Sequence, residues 1–315
     1  MHVLVTGAAG FIGSRLAKRL QAEDHRVIGL DSLTDYYNVA LKRANADSVI
    51  ESGASFIEGD LNKVDLTSIL DGVDAIFHLA GQPGVRSSWG SGFPEYTTRN
   101  IDATQRLLEA CRGRSGLRRF VYASSSSIYG DAESYPTRED IRPQPVSPYG
   151  VTKLGAEHLC TLYATNFDVP TVSLRYFTVY GPHQRPDMAF HKWCKAALAN
   201  ERLPLFGTGE QSRDFTYIDD AVQGTVAAIT ADNAVGETIN IGGGERISVN
   251  GTLDLIAKIH GAPLNIDRTD KQKGDVQHTA ADVTKAKTIL GFEPKVSVAD
   301  GLREEYAYIK ALYDL

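Results

Sequence analysis

Cysteine is scarce in this 315-residue chain: Cys111, Cys160 and Cys194 are the only three, too scattered for a disulfide framework or a metal knuckle. Such usage suits a reducing compartment, and the three thiols are expected to fill core space. Blocks of consecutive basic residues are also missing, and 33 Lys and Arg against 39 Asp and Glu leave a formal charge of -6. That balance speaks against a general nucleic-acid or anionic-membrane surface, so any anionic ligand must meet individually placed donors. No apolar run reaches the roughly 18 residues of a membrane span, and the opening MHVLVTGAAG shows no basic leader. The chain is expected to be soluble and cytoplasmic. Internal repeats and low-complexity segments are lacking, and none of the eight histidines shows metal-ligand spacing, so no metal is expected.

What is present is a 42% hydrophobic content, ample for one large core or two smaller packed units. Up to about residue 176, β-rich runs (HVLVT, RVIGL, SFIEG, DAIFHLA, RFVYAS, PTVSLRYF) alternate with segments of helix length. That rhythm predicts a parallel sheet wrapped by helices. After Tyr176 it breaks into Gly- and Pro-containing stretches, with a helix expected between Met188 and Asn200. A helix over Asp219 to Ile229, its two aspartates (Asp219, Asp220) acting as caps, and the strand ETINIG read as a return to the sheet. Asp282 is expected to cap the helix VTKAKTIL, with Gly291 and Pro294 stopping it. The expected fold is α/β, a Rossmann-type doubly wound parallel sheet with a smaller C-terminal substrate-binding subdomain. Its dinucleotide-binding part comprises 1–176 plus a return segment of about 214–243, and the substrate part about 177–213 and 244–315.

Gly7, Gly10 and Gly13 form G-x-x-G-x-x-G between the first strand and the first helix. Their missing side chains allow a tight turn and close approach of a pyrophosphate to a helix N-terminus, where Phe11 and Ile12 also lie. Glycines also serve ordinary turns, so context decides. Asp31 ends the second strand, eighteen residues past Gly13, where a carboxylate accepts from ribose hydroxyls and repels a 2′-phosphate. NAD is favoured over NADP. Asp60-Leu61 and Leu79-Ala80 follow the next two strands, at positions that line a cofactor in this fold or serve as plain turns.

Ser147-Pro148 reads as a helix cap followed by a proline at the first helical position, and it leads into Tyr149-x-x-x-Lys153. The spacing places both side chains on one helix face. A phenol with a pKa near 10 is a poor base at neutral pH, and lowering it to neutrality takes roughly 4 kcal/mol from neighbours. Lys153, the helix end and a nicotinium ring can supply it. Ser124 to Ser127 close the fifth strand at the carboxyl edge of the sheet, where ligands bind in open α/β folds.

GAAGFIG, Asp31, HLAGQ, YASSSSIYG, SPYGVTK, RYFTVYGP, RDFTYIDD and GDVQHTAAD run in order through almost the whole chain. Together they resemble the extended short-chain dehydrogenase/reductase family. DSLTDYYNVALKRA, PGVRSSW and FTVYGPHQRPDMA are similar to its UDP-glucuronate 4-epimerase branch in particular. The resemblance implies NAD as cofactor and a UDP-sugar as substrate. It implies Tyr149 as general acid and base, Lys153 on the nicotinamide ribose, and Ser125, chosen over Ser126 by register alone, hydrogen-bonded to the sugar 4-hydroxyl. It also places Arg213 and Asp275 on diphosphate and ribose, Leu205 and Phe206 against uracil, and Arg86 and Arg185 among substrate contacts.

Relatives that dehydrate or decarboxylate carry an acid at the position of Ser127, and a serine cannot shuttle that proton. Thr178 stands where UDP-galactose epimerases carry an asparagine, leaving room for a C6 carboxylate. Ser126, Ser127 and Thr178 are therefore the expected carboxylate donors. The expected reaction is 4-epimerisation of UDP-glucuronic acid through a 4-keto sugar. A 4-epimerase of neutral UDP-hexoses or N-acetylhexosamines is the alternative, and a non-catalytic NAD-binding or RNA-associated protein a remoter one. The family habit of pairing through two helices beside the sheet implies a homodimer.

Overall fold

The computed structural model describes residues 1–270 and 274–315. In chain order the elements are β1 His2–Thr6, α1 Phe11–Ala22, β2 Arg26–Asp31, α2 Val39–Glu51, β3 Ser55–Glu58, α3 Leu66–Ile69, β4 Ala75–His78, α4 Phe93–Tyr96 and α5 Ala103–Cys111. There follow β5 Arg119–Ser125, α6 Pro148–Phe167, β6 Thr171–Tyr176, β7 Thr178–Tyr180, α7 Ala189–Leu198, β8 Leu203–Phe206, β9 Ser212–Tyr217 and α8 Ile218–Ala227. The chain closes with β10 Thr238–Ile241, β11 Arg246–Ser248, α9 Val249–His260, β12 Ile266–Thr269, α10 Thr284–Leu290 and α11 Val298–Tyr313.

Seven strands form one parallel sheet in the order β10-β6-β5-β4-β1-β2-β3. Side chains alternate across a strand, so a strand covered on both faces must be apolar throughout. In β1, Val3 and Val5 enter one core cluster while Leu4 enters the other. The order reverses between β1 and β4, and this switch point opens a crevice at their carboxyl ends. Smaller sheets, β11-β9-β7 and β12-β8, lie in the second half of the chain.

Strand β10 rejoins the large sheet beside β6, as the return of ETINIG requires. A boundary at 214 falls inside β9, however, whose partners are β7 and β11 of the small sheet. The segment returning to the large sheet starts at α8.

Local chemistry explains several helix ends. The Ser147 hydroxyl accepts from the Gly150 amide at 3.1 Å, and Pro148 opens α6 without sacrificing a helical hydrogen bond. Gly291 ends α10 in the left-handed region at φ 62°. Asp282 acts one residue further from its helix than expected: Val283 occupies the cap position, and the Asp282 carboxylate reaches the Thr284 amide at 2.8 Å. Asp219 and Asp220 are not caps, because α8 starts at Ile218 and both lie within its first turn. Asp219 pairs with Arg15 at 2.8 Å, and Asp220 accepts the amides of Lys295 and Val296, each at 3.0 Å. All three cysteines are buried, and burial pushes each thiol pKa up, which leaves them inert.

One ion pair is buried beneath the carboxyl edge of the sheet. Arg175 of β6 meets Glu157 of α6 at 2.6 and 3.1 Å, with side-chain exposures of 6% and 4%. Glu157 also accepts from Ser124 at 2.5 Å, and Arg175 donates to the Tyr129 hydroxyl at 2.7 Å. Tyr129 in turn donates to Asn240 at 2.7 Å. Removing one charge from such a pair strands the other in the interior. Arg175→Met is therefore expected to destabilise the protein by about 3–5 kcal/mol. Urea unfolding of the cofactor-free protein measures this, and a loss below about 1 kcal/mol would contradict a dry, fully coupled pair.

Candidate active site

A cleft of about 800 Å³ follows the switch point and runs on between the large sheet and the second half of the chain. Gly7, Gly10, Phe11, Ile12, Gly13, Asp31, Asp60, Leu61, Leu79 and Ala80 line one half of it. The turn is tight enough that a Cβ on Gly13 would sit 2.1 Å from the Gly7 carbonyl oxygen. Gly7, at φ 74°, packs directly on the Leu79-Ala80 backbone. Helix α1 has neither a capping side chain nor an acid in its first turn, so its amide end faces the cleft as a site for phosphate. Asp31 accepts the Ala9 amide at 3.0 Å and the Leu33 amide at 2.8 Å, which fixes its carboxylate at the cleft wall. Asp60 makes a local turn by accepting the Asn62 amide at 2.9 Å. An uncapped helix end and a carboxylate at the tip of β2 fit a dinucleotide without a 2′-phosphate.

Buried polar groups join this half to the catalytic helix. Thr104 donates to the Asn100 carbonyl at 2.6 Å, so it must accept from His78 Nε2 at 2.9 Å. His78 Nδ1 is then the acceptor for Thr6 at 2.8 Å. Burial, with the nearby Lys153 charge, lowers the His78 pKa to about 3, in keeping with that neutral tautomer. Asn100 closes the chain by donating to Thr152 of α6 at 3.0 Å.

Tyr149, Lys153, Ser125, Ser126, Ser127, Thr178 and Arg185 line the middle of the cleft. Of the four consecutive serines, it is the Ser125 hydroxyl that acts on the Tyr149 phenol, favouring its ionised form. Ser125 Oγ accepts the Ser127 amide at 3.1 Å, so its O–H remains available as a donor in the cleft. Ser124, on the opposite side of the strand, is committed to Glu157. The Tyr96 ring stands edge-on to Tyr149 at 6.2 Å.

The surrounding protein pushes the Tyr149 pKa above its ordinary value, because burial outweighs the lowering effects of the Ser125 hydroxyl and the Arg185 charge. The depression expected from the sequence is therefore not supplied by the chain's own groups. Burial lowers Lys153 to about 8, against the pull of Glu157 and other neighbours. Its ammonium lies 4.6 Å from the Tyr122 ring centroid.

At the far end Arg86, Phe206, Arg213 and Asp275 come together. Arg86 binds Asp275 at 2.9 Å and lies 4.2 Å over the Phe206 ring. Leu205 does not join them. It is fully buried in the core, because alternation along β8 sends it to the opposite face from Phe206. Tyr36, Lys42, Asn100 and Asp187 also line the cleft. Tyr36 and Lys42 fall within the DSLTDYYNVALKRA stretch, but nothing in their spacing marks them as facing a ligand.

A Gly-rich turn and a Tyr-Lys helix facing one cleft define a nicotinamide-dependent enzyme of the short-chain dehydrogenase type. Residues 3–242 match the model of the NAD dependent epimerase/dehydratase family, and the chain belongs to that family. A Bacillus subtilis relative described as an uncharacterized UDP-glucose epimerase, YtcB, is 49% identical over 99% of both chains. A UDP-glucuronate 4-epimerase of Thermodesulfobacterium geofontis is 37% identical over 100% of this chain and 98% of its own. A crystal structure of UDP-glucuronic acid 4-epimerase from Bacillus cereus with UDP-glucuronic acid and NAD superposes with a TM-score of 0.97. It is 48% identical and covers 99% of this chain and 100% of that chain.

The lowered pKa of Lys153 has a measurable consequence. Below its folded value of about 8 the buried ammonium costs stability, and that cost fades as pH rises toward the unfolded value near 10.4. Wild-type stability relative to Lys153→Met should therefore increase by about 2–3 kcal/mol between pH 7 and pH 10. Denaturant unfolding of the cofactor-free proteins across that range reads it; a flat difference would place Lys153 in a solvated environment.

Proposed function

We propose that this chain is a UDP-glucuronic acid 4-epimerase, interconverting UDP-glucuronic acid and UDP-galacturonic acid with NAD as resident cofactor. The observation that carries the reading is that Tyr149, Ser125 and the buried Lys153 line one cleft together with a row of uncharged hydroxyls. The helix end at Phe11 to Gly13 holds the cofactor pyrophosphate and Asp31 its adenosine ribose. Bound in its oxidised form, NAD supplies the acceptor for the C4 hydride and a positive charge beside the phenol. Arg86, Phe206, Arg213 and Asp275 hold the UDP moiety, with Phe206 alone of the Leu205-Phe206 pair against the uracil.

Tyr149 would take the proton of the sugar 4-hydroxyl while Ser125 donates to the same oxygen, and would return the proton to that oxygen when the alcohol is re-formed. Lys153 would hold the cofactor ribose, and the positive charge of the oxidised cofactor would favour the tyrosinate. Ser126, Ser127 and Thr178 hold the C6 carboxylate. With a ketone at C4 the uronate is a β-keto acid, which loses carbon dioxide when the carboxylate bond aligns with the carbonyl π system. Each hydroxyl bonded to the carboxylate contributes about 1.5–3 kcal/mol against that alignment. Hydroxyls also rotate, so the contacts can break and re-form as the sugar turns over.

The protein works in the cytoplasm as a homodimer, in this reading. Val151 and Leu162, 49% and 55% exposed on one face of α6, suit pairing through helices beside the sheet.

Tyr149→Phe is expected to bind substrate but lose roughly 10²–10⁴ in turnover. Product analysis after incubation with UDP-glucuronic acid, and separately with UDP-glucose, decides the substrate; faster conversion of the neutral sugar would replace the uronate reading. The protective role of the hydroxyls has its own signature. Ser127→Ala and Thr178→Ala should form less epimer and more UDP-pentose or 4-keto-pentose, followed by NMR and mass spectrometry. Slower variants with no decarboxylated product would remove these hydroxyls from that role.

A further inference from the structure

The Gly181–Met188 loop between β7 and α7 carries Arg185 into the substrate half of the cleft, where Asp187 grips its guanidinium with two hydrogen bonds of 2.9 Å. Behind Arg185 lies a second cavity of about 230 Å³, walled in part by Tyr37, Asn45, His183, Tyr308 and Leu312. With that space at its back, the loop is positioned by discrete contacts rather than by close packing. Three of them come from α11. Glu305 accepts the Gly181 amide at 2.8 Å, Tyr308 stacks on His183 at 4.5 Å, and Tyr313 reaches His191 at 2.9 Å. His191 in turn donates from Nδ1 to the Gln184 carbonyl at 2.8 Å.

Two further contacts come from the first half of the chain: Tyr36 donates to Asp187 at 3.3 Å, and Asn45 meets His183. His183 Nδ1 lies 2.9 Å from Asn45 Oδ1, and Asn45 Nδ2 donates to the Ala9 carbonyl at 3.1 Å. With the Asn45 nitrogen spent on Ala9, its oxygen faces His183, so Nδ1 of the ring must carry the proton. Ala9 belongs to the Gly-rich turn, and its own amide is the group held by Asp31 at 3.0 Å. Four residues therefore connect the tip of β2 to the loop bearing Arg185. His183 holds φ at +71°, a region costly for a side chain with a Cβ, and the Tyr308 stack and Asn45 hydrogen bond offset that strain.

We propose that His183 is a positioning residue that, through Asn45 and Ala9, ties the placement of Arg185 in the sugar site to the Asp31 end of the cofactor site. This rests on the reading of Arg185 as a substrate contact. The bridge sets the loop before substrate arrives, so its loss weakens ground-state binding and leaves the chemical step intact. It also makes the two sites energetically reciprocal, since whatever fixes Ala9 and Asp31 favours the competent loop.

The test compares His183→Phe, which keeps a ring on Tyr308 but cannot donate to Asn45, with Asn45→Leu, which removes the acceptor from the other side. NAD-loaded enzyme is assayed with UDP-glucuronic acid, alone and in an Arg185→Ala background. Each bridge variant should raise KM about fivefold, the effect of one hydrogen bond, with kcat within twofold of wild type. In the Arg185→Ala background the further rise should vanish. Equal KM effects with and without Arg185, or a loss confined to melting temperature, would overturn the proposal, as would a KM effect in only one bridge variant. If Arg185→Ala alone binds and turns over substrate like wild type, it is the assignment of Arg185 that falls, an outcome distinct from additivity.

Discussion

The cleft exists because the chain reverses the side on which it adds strands: β2 and β3 extend the sheet one way from β1, and β4, β5, β6 and β10 the other. At that reversal the connections leave to opposite faces, and nothing fills the space over the carboxyl ends of β1 and β4. The Gly7–Gly13 turn can sit there only because the helix packs at a distance that excludes a Cβ, as the 2.1 Å clash at Gly13 shows. From that single constraint follow the exposed amide end of α1, the place of Asp31 and the approach of β5 with Ser125.

Helix α6 concentrates the charged chemistry along one side. Tyr149, Lys153 and Glu157 recur every four residues, so one face presents a phenol and an ammonium to the cleft and a carboxylate to the interior. Glu157 is held by Arg175 and Ser124, and Ser124 precedes Ser125, which lines the cleft together with Tyr149. The ion pair thereby fixes the strand end and the helix relative to one another. Its value to the enzyme is registry, since a buried pair adds little net stability over an apolar substitute of the same shape.

The second half of the chain is braced by contacts of very long sequence separation. Arg86 meets Asp275, Tyr129 meets Asn240, and Asp220 holds the backbone before α11. The first of these closes the nucleotide end of the cleft, and the other two hold the second half of the chain in place away from it. The Arg185 loop belongs to the same scheme, held by α11 on one side and by the Gly-rich turn on the other.

Local chemistry was legible in the chain itself. The strand runs, the Ser147 cap, the same-face Tyr149 and Lys153, and the turn demanded by Gly7, Gly10 and Gly13 depend on neighbours within a few residues. Contacts across the fold were not, because they depend on where distant segments arrive. The pattern LPLF shows a strand but not which face meets the cleft, so Leu205 turned out to be core and Phe206 lining. Asp219 and Asp220 looked like caps until Arg15 and the Lys295-Val296 backbone arrived beside them. The Tyr149 pKa shows the same division: spacing alone brought Lys153 to its face, but burial, a property of the assembled fold, decided the direction of the shift.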